Sequence, residues 1–254
     1  MVLVLNGVLQ EDCPPDSRAL YLNHPVYRDT AAQLLSVPNK VIGPVGLLYV
    51  LQRELAVTVP HDKNVNVLGS DDVTTCLIVV VRHSGSGAVA LAHLDGSGID
   101  EAVCTMIQRV QDLALGYQEG RIEVQLVGGF TDAHSYSEDI FFSIMSKWVQ
   151  RKQPVLIKSV LDIYDCSLGL LQIAPFNYEP LRGVDLWLEQ TDDFILQQLS
   201  TSPEVQPPHF VMQIRAALKY IQDNQFPAIT VFRDNRPHYF RRDEHTGLWS
   251  PVRY

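Results

Sequence analysis

One cysteine and one histidine stand at a spacing that suits nucleophilic catalysis. Cys76 comes directly before the apolar run Leu77–Val81, and His93 lies in the next apolar segment. A catalytic cysteine needs an activated thiol, a base within hydrogen-bond reach and donors for an oxyanion. The backbone N–H groups near Thr75 and Cys76, where a loop meets a strand, are the candidate donors.

A predicted hairpin would bring these two residues together. The run Leu77–Val81 is typical of a strand covered on both faces, and Ala88–Leu94 is typical of the strand that returns after a turn. With the turn centred near Gly85, Cys76 and His93 fall roughly opposite each other, where Cβ atoms of cross-strand neighbours lie about 5 Å apart. A register slip of one residue would carry His93 to the other face.

Each of these residues also has a structural interpretation. A single cysteine in such a chain is more often an inert buried hydrophobe, and a histidine at a strand end is more often a satisfied structural group. Ser70 and the pair Asp71 and Asp72 fit a turn and a solvated loop. The predicted pairing of Cys76 with His93 is what favours a catalytic interpretation over these alternatives.

The composition excludes several classes of function. The chain has 254 residues, of which 46% are apolar and 19% charged, and a net charge of -9. This is an ordinary globular mixture without the basic patch that nucleic acids require. No stretch reaches the roughly 18–20 apolar residues of a membrane span, and the N-terminus lacks a secretory signal. We therefore expect neither nucleic acid nor a membrane as a partner.

The cysteine spacing indicates the redox compartment, and the hydrophobic pattern indicates the fold class. Four widely spaced cysteines predict free thiols in a reducing compartment, without a structural zinc site: Cys13, Cys76, Cys104 and Cys166. Helices are predicted over Asp29–Leu35, Glu101–Leu115, Ile140–Trp148 and Pro207–Asp223, the last with its prolines in the first turn. Further strands are predicted before Pro60 and over Val65–Leu68, Ile122–Val127, Val155–Leu161, Ala228–Phe232 and His238–Arg242. Interspersed strands and helices indicate one α/β or α+β domain with layered sheets and helices, over residues 1–254.

Long stretches of the chain resemble the eukaryotic protein N-terminal asparagine amidohydrolases. The likeness is densest over residues 43–132 and 175–211. It is carried by "GPVGLLYVLQRELAVTVP", "VLGSDDVTTCLIVVVRHSGSGAVALAHLDG", "LVGGFTD", "VDLWLEQTDDFILQQLSTSP" and "PPHFV".

The resemblance implies hydrolysis of the side-chain amide of an N-terminal asparagine to aspartate. The new aspartate is then arginylated, and the protein is degraded through the N-degron pathway. The expected partners are proteins or peptides with a free N-terminal asparagine, and no metal or organic cofactor is needed. We expect a monomer in the cytoplasm, with the nucleus as a second location.

A more distant likeness to the bacterial chemotaxis-receptor glutamine deamidases implies an α+β fold, a layered α-β-β sandwich. Their reactive set is a hydroxyl residue six before the cysteine and a histidine seventeen after it, positions that hold Ser70, Cys76 and His93 here. The resemblance makes Cys76 the nucleophile, His93 the general base and acid, and Ser70 the group that orients His93. It also aligns Gly128 and Gly129 with a Gly-Gly that follows a strand in those enzymes.

Selectivity for a chain terminus requires a carboxylate that reads the free α-ammonium. Asp72 is the expected group, with Asp71 and Glu54 as alternatives. The predicted substrate-binding set is therefore Asp72, Thr75, Gly128 and Gly129.

One segment departs from the family pattern, and it leaves other functions open. Family members carry a longer stretch before "IYDCSLGLLQIAPF", so an internal segment near residues 150–162 is expected to be missing here. A shortened chain could have lost activity and act as a binding or scaffold protein for N-terminal asparagine. A glutamine side-chain deamidase is the second enzyme hypothesis. A cysteine protease or transglutaminase is less favoured.

Overall fold

Short strands and helices alternate along the chain, as the sequence predicts. The computed structural model describes residues 3–130, 132, 134–149, 160–176 and 182–252. The strands within these ranges are Leu3–Leu5 (β1), Val8–Gln10 (β2), Leu47–Tyr49 (β3), Glu54–Thr58 (β4), Val67–Gly69 (β5), Leu77–His83 (β6), Val89–Leu94 (β7), Ile122–Gly128 (β8), Leu161–Asp162 (β9), Tyr164–Asp165 (β10), Leu170–Ile173 (β11), His238–Arg242 (β12) and Trp249–Pro251 (β13).

The α-helices of the same ranges are shorter than the run of residues that would cross a membrane. They are Ser17–Asn23 (α1), Val26–Leu35 (α2), Ile99–Leu113 (α3), Tyr136–Val149 (α4), Val184–Leu188 (α5), Asp192–Leu199 (α6), Phe210–Asp223 (α7) and Pro227–Thr230 (α8). None of these described helices is long and apolar enough for such a span.

A five-stranded sheet forms the centre of the fold. Its strand order is β8-β6-β7-β4-β9, and neighbouring strands run antiparallel except β4 and β9, which are parallel. The predicted hairpin is confirmed as β6 and β7 at its centre. Because every second residue of a strand points to the same face, this sheet separates the core into two halves.

Helices α3 and α4 cover one face of this sheet. Their apolar residues recur at helical spacing and pack on the small and branched side chains of β6 and β7. This core contains Val79, Val81, Ala90, Ala92 and Leu94 from the sheet, and Val103, Met106, Val110 and Ile144 from the helices.

Further strands cover the opposite face. Leu48 of β3, Val50 and Tyr164 of β10 pack there with Ala56 and Leu91 of the central sheet. Strand β10 belongs to a second sheet of order β10-β11-β12-β13, and β3 pairs with β5. The mixed α/β architecture is confirmed, whereas the relationship to the chemotaxis-receptor deamidases stays a prediction.

One predicted strand near the C-terminus is wrong. Residues 228–232 were expected to pair with His238–Arg242, but Pro227–Thr230 forms the short helix α8. Proline at the first helical position needs no N–H partner, and the N–H groups of Ile229 and Thr230 both donate to the Phe226 carbonyl, at 2.8 and 3.0 Å. Strand β12 pairs instead with β11 and β13.

Two further predictions concern the start of helix α7 and the segment after helix α4. Helix α7 begins at Phe210, so the two prolines precede it and do not form its first turn. Residues 150–159 lie outside the described residues, and with them most of the predicted strand Val155–Leu161 and of the predicted missing segment.

The buried methionine of α3 gives a test of this packing. Met106 is fully buried between α3 and the sheet, whereas Met212 of α7 is 67% exposed. We expect Met106→Ala to lower the free energy of unfolding by about 2–5 kcal/mol because it leaves a cavity. The matched variant Met212→Ala should change it by less than about 0.5 kcal/mol. Urea denaturation measures both values, and equal losses would contradict this arrangement of the core.

Candidate active site

Cys76 lies at the entrance to β6, on the face of the sheet that the additional strands cover. The side chains of Ile78 and Val80 pack toward that second core, and Cys76 continues the same alternation. The cysteine is 9% exposed, so its thiol is close to the surface without being open to it.

The register of β6 and β7 differs from the expected one by two residues. Ile78, not Cys76, lies opposite His93, and Leu77 lies opposite Leu94. The difference arises in the turn, where the His83 N–H donates to the Ala88 carbonyl at 2.9 Å and centres the loop one residue later than expected. Because the shift is even, Cys76 and His93 still belong to the same face and are diagonal neighbours.

His93 is held by a serine on one ring nitrogen and has a free position on the other. Its Nδ1 lies 2.9 Å from Ser70 Oγ, so the structure brings these two predicted residues together. Nε2 is buried and makes no hydrogen bond within the described part of the chain, to Cys76 or to any other group. A buried polar atom without a partner is costly, so Nε2 is the position at which a proton or a ligand group would be accepted.

Burial keeps both reactive groups neutral in the resting protein. Burial lowers the pKa of His93, against the raising effects of Asp95, Asp71 and Asp72. Burial also raises the pKa of the Cys76 thiol to about 11, with a further increase from Asp95 and a decrease from Arg53. At neutral pH the site therefore holds a thiol beside a neutral imidazole.

Asp95 was not anticipated from the sequence as a site residue. It follows Leu94 at the end of β7, and its carboxylate accepts hydrogen bonds from Gln52 Nε2 at 2.7 Å and Arg53 Nε at 2.6 Å. Its other oxygen accepts the Ser97 N–H at 3.0 Å. The signal that could have identified Asp95 was its position two residues after His93, directly after the strand already assigned to the hairpin.

The two acids of the preceding loop have partners of their own. Asp72 has a positive φ of 53° and is 2.9 Å from Nε2 of His209, at the start of α7. Asp71 accepts a hydrogen bond from the Tyr49 hydroxyl. This contact with His209 could not be predicted, because residue 209 is far from the loop along the chain.

Of the remaining predicted substrate-binding residues, Thr75 and Gly128 support the loop that carries Cys76. Thr75 Oγ1 lies 3.0 Å from Thr201 Oγ1. A Cβ on Gly128 would lie 2.5 Å from Val73 Cγ1 and 3.2 Å from the Cys76 carbonyl oxygen. Gly129 has a positive φ of 74°. A side chain at Gly128 would therefore displace the loop.

Glu54, the other acid considered for the ammonium, turns back on its own chain. Its Oε2 accepts the Leu51 N–H at 2.8 Å, and burial raises its pKa. Among the residues that the structure describes, no three His, Cys, Asp or Glu side chains are grouped to hold a metal ion.

A buried thiol beside a serine-held imidazole, on one face of a mixed α/β sheet, is suited to an amide hydrolase that acts through a cysteine. The family described as protein N-terminal asparagine amidohydrolase matches residues 37–159 and 149–251. The chain is similar to the human protein N-terminal asparagine amidohydrolase, with 33% identity over an alignment of 294 residues that covers 94% of each chain. The pig and mouse proteins of the same name are 32% and 31% identical over the same extent. The chain belongs to this amidohydrolase family.

The resting state of the thiol gives a test. With a pKa of about 11, Cys76 should react slowly with iodoacetamide at pH 7–9, and its alkylation rate should keep rising up to about pH 11 because only the thiolate reacts. Mass spectrometry of the tryptic peptide of residues 64–82, in which Cys76 is the single cysteine, measures the rate. In urea the same peptide should titrate near pH 8.5, as an ordinary thiol does. A plateau below pH 8 in the folded protein would contradict the neutral resting pair.

Proposed function

We propose that the chain hydrolyses the side-chain amide of an N-terminal asparagine to aspartate and releases ammonia. The observation that carries the proposal is the contact between Ser70 and His93 on the face of the sheet to which Cys76 belongs. The names of the related proteins support the same substrate.

Cys76 and His93 divide the chemistry between them in this proposal. The thiol proton passes to Nε2 of His93, and Sγ attacks the amide carbon. The carbon–nitrogen bond then breaks, and the imidazolium returns its proton to the departing ammonia, which leaves a thioester. Water attacks the thioester with His93 again as the base, the carbon–sulfur bond breaks, and the product is aspartate with a free thiol.

Ser70 sets the direction of proton transfer. If Ser70 Oγ accepts the Nδ1 proton, Nε2 is the basic nitrogen, and Nε2 is the buried ring atom that makes no hydrogen bond. The Cys76 N–H and neighbouring backbone groups just before β6 would hold the oxyanion, and Gly128 and Thr75 keep that loop in place. The substrate's α-ammonium needs a carboxylate partner; the sequence favours Asp72 for it, but Asp72 is exposed and already paired with His209.

Several finer points belong to the same proposal. The aspartate produced would be recognised for arginylation, so that the substrate enters the N-degron pathway. The partners are proteins or peptides with a free N-terminal asparagine, which the chain meets as a monomer in the cytoplasm and the nucleus. The proposal also includes a relationship to the chemotaxis-receptor deamidases. The chain would share with them an α-β-β sandwich and the reactive set of Ser70, Cys76 and His93.

A second function is supported by the way in which the family matches. The family matches two pieces that overlap at residues 149–159, and the alignment of 294 residues with the human protein is longer than this chain of 254 residues. Both observations favour an internal segment missing from this chain near that point. A protein that binds N-terminal asparagine with little or no turnover is therefore the alternative.

Ammonia release from a peptide that begins with asparagine separates these functions. We expect release by the wild-type chain but none by Cys76→Ala, because no other group here forms the thioester. The acetylated peptide and the peptide that begins with glutamine are the matched controls. Mass spectrometry should find the peptide intact in length, which excludes proteolysis and cross-linking. A folded wild-type chain that binds the peptide but releases no ammonia would leave the binding function.

Replacement of Ser70 tests the orientation of His93. We expect Ser70→Ala to lower kcat, by less than the roughly 10²–10⁴-fold contribution of general acid–base catalysis as a whole, and to change KM little. Ser70→Thr keeps the hydroxyl and should restore most of the rate. Steady-state kinetics with the asparagine peptide would measure both variants. Equal activity of Ser70→Ala and wild type would show that the 2.9 Å contact with Nδ1 has no part in the reaction.

A further inference from the structure

Cys76 and Asp95 directly flank the last residue pair of the central hairpin, and the register of the hairpin, continued by one residue, would bring them opposite each other. The ladder of β6 and β7 ends with Leu77 opposite Leu94, so the next residues of the two strands are Cys76 and Asp95. Cross-strand neighbours of this kind have Cβ atoms about 5 Å apart and point to the same face. Asp95 is also the carboxylate whose charge acts on both Cys76 and His93.

The Asp95 carboxylate is largely shielded from solvent, ionised and held in one orientation. Its side chain is 10% exposed. Burial on its own would raise the pKa of Asp95, but hydrogen bonds from the Ser97 N–H, Gln52 and Arg53 outweigh that effect and the pKa is lowered. A carboxylate has about four acceptor positions, and these three donors occupy three of them. Oδ2 accepts two hydrogen bonds and Oδ1 accepts one, so Oδ1 can accept one more.

The size of the substrate matches this position. In an N-terminal asparagine the α-nitrogen is three covalent bonds from the amide carbon, each about 1.5 Å long, and thus less than about 4 Å away. With a hydrogen bond of about 2.8 Å added, a carboxylate oxygen that binds the ammonium lies within about 7 Å of the amide carbon that Cys76 attacks. Asp95 is the largely buried carboxylate whose charge acts on Cys76, whereas Asp72 is exposed and paired with His209 and Asp71 is paired with Tyr49.

We propose that Asp95 binds the α-ammonium of the substrate's terminal residue and so restricts the site to free N-termini. This inference rests on the proposed function and names its specificity residue. Arg53 already forms a salt bridge with Asp95, but the Arg53 side chain is 55% exposed. Solvent therefore screens much of the attraction between the two charges. A buried ammonium beside Oδ1 is screened less.

The contact between Asp95 and the ammonium would also lower the pKa of the Cys76 thiol. The negative charge of Asp95 contributes to the high pKa of the Cys76 thiol. A bound ammonium neutralises that charge, so the thiol ionises more readily when a free N-terminus is present. An acetylated terminus has no charge to offer and would leave the thiol in its resting state.

Peptide binding to a chain that cannot turn over tests this inference separately from catalysis. In the Cys76→Ala background, calorimetry compares a peptide that begins with asparagine and a succinamoyl peptide, which has the same amide but no α-amino group. We expect Asp95→Asn to raise the Kd of the asparagine peptide about 10- to 100-fold, as the loss of a hydrogen bond between charged groups does. The Kd of the succinamoyl peptide should change less than about threefold, so the preference for the amine is lost.

Asp165→Asn is the matched control, since Asp165 Oδ1 accepts the Ser167 N–H at 2.9 Å in a turn like that of Asp95 and Ser97. It should preserve the preference for the amine. Equal weakening of both peptides by Asp95→Asn would overturn the inference, as would loss of the preference in Asp72→Asn instead.

If Asp95→Asn does not fold, a variant of Arg53 tests the same inference. Arg53→Gln removes the competing cation and should tighten binding of the asparagine peptide relative to the succinamoyl peptide, and an equal effect on both would overturn the inference. Absence of ammonia release by the wild-type chain would instead contradict the proposed function, and the binding comparison would still decide the role of Asp95.

Discussion

The pairing of β6 with β7 is the constraint on which the rest of the site depends. Side chains alternate between the two faces of a sheet, so one register decides which groups meet. With Ile78 opposite His93, the imidazole lies on the face of Cys76, away from α3 and α4. A slip of one residue would direct His93 into the core beneath those helices, where burial without a partner would be costly. The neighbouring strands β4 and β8 fix the register on both sides.

Burial on this face has an electrostatic consequence for both reactive groups. It disfavours the charged forms of the thiol and the imidazole alike, and Asp95 adds to the cost of a thiolate. The resting pair is therefore neutral, unlike the pre-formed thiolate of a cysteine beside a cationic group. Ionisation of Cys76 then depends on the charge that enters the site, so recognition of the substrate and activation of the nucleophile become one electrostatic event.

The sequence was informative where a feature is local. The alternation of β6 and β7 and the spacing of α3 follow from periodicity, and the sequence therefore predicted the hairpin of Cys76 and His93. The register was wrong by two residues because one hydrogen bond across the turn, from His83 to Ala88, moves its centre. Ala228–Phe232 was expected to form a terminal hairpin with His238–Arg242, yet Pro227 starts a helix there.

Contacts distant in sequence could not be predicted, and they hold the loop that carries Ser70 and Cys76. Thr75 contacts Thr201, and Asp72 contacts His209, so the loop is bound to the segment that leads into α7. On its other side the loop contacts Gly128 at the end of β8. These supports come from both parts of the chain that the family matches. Loss of residues near the junction of the two parts is compatible with an intact site only as long as the second part still reaches this loop.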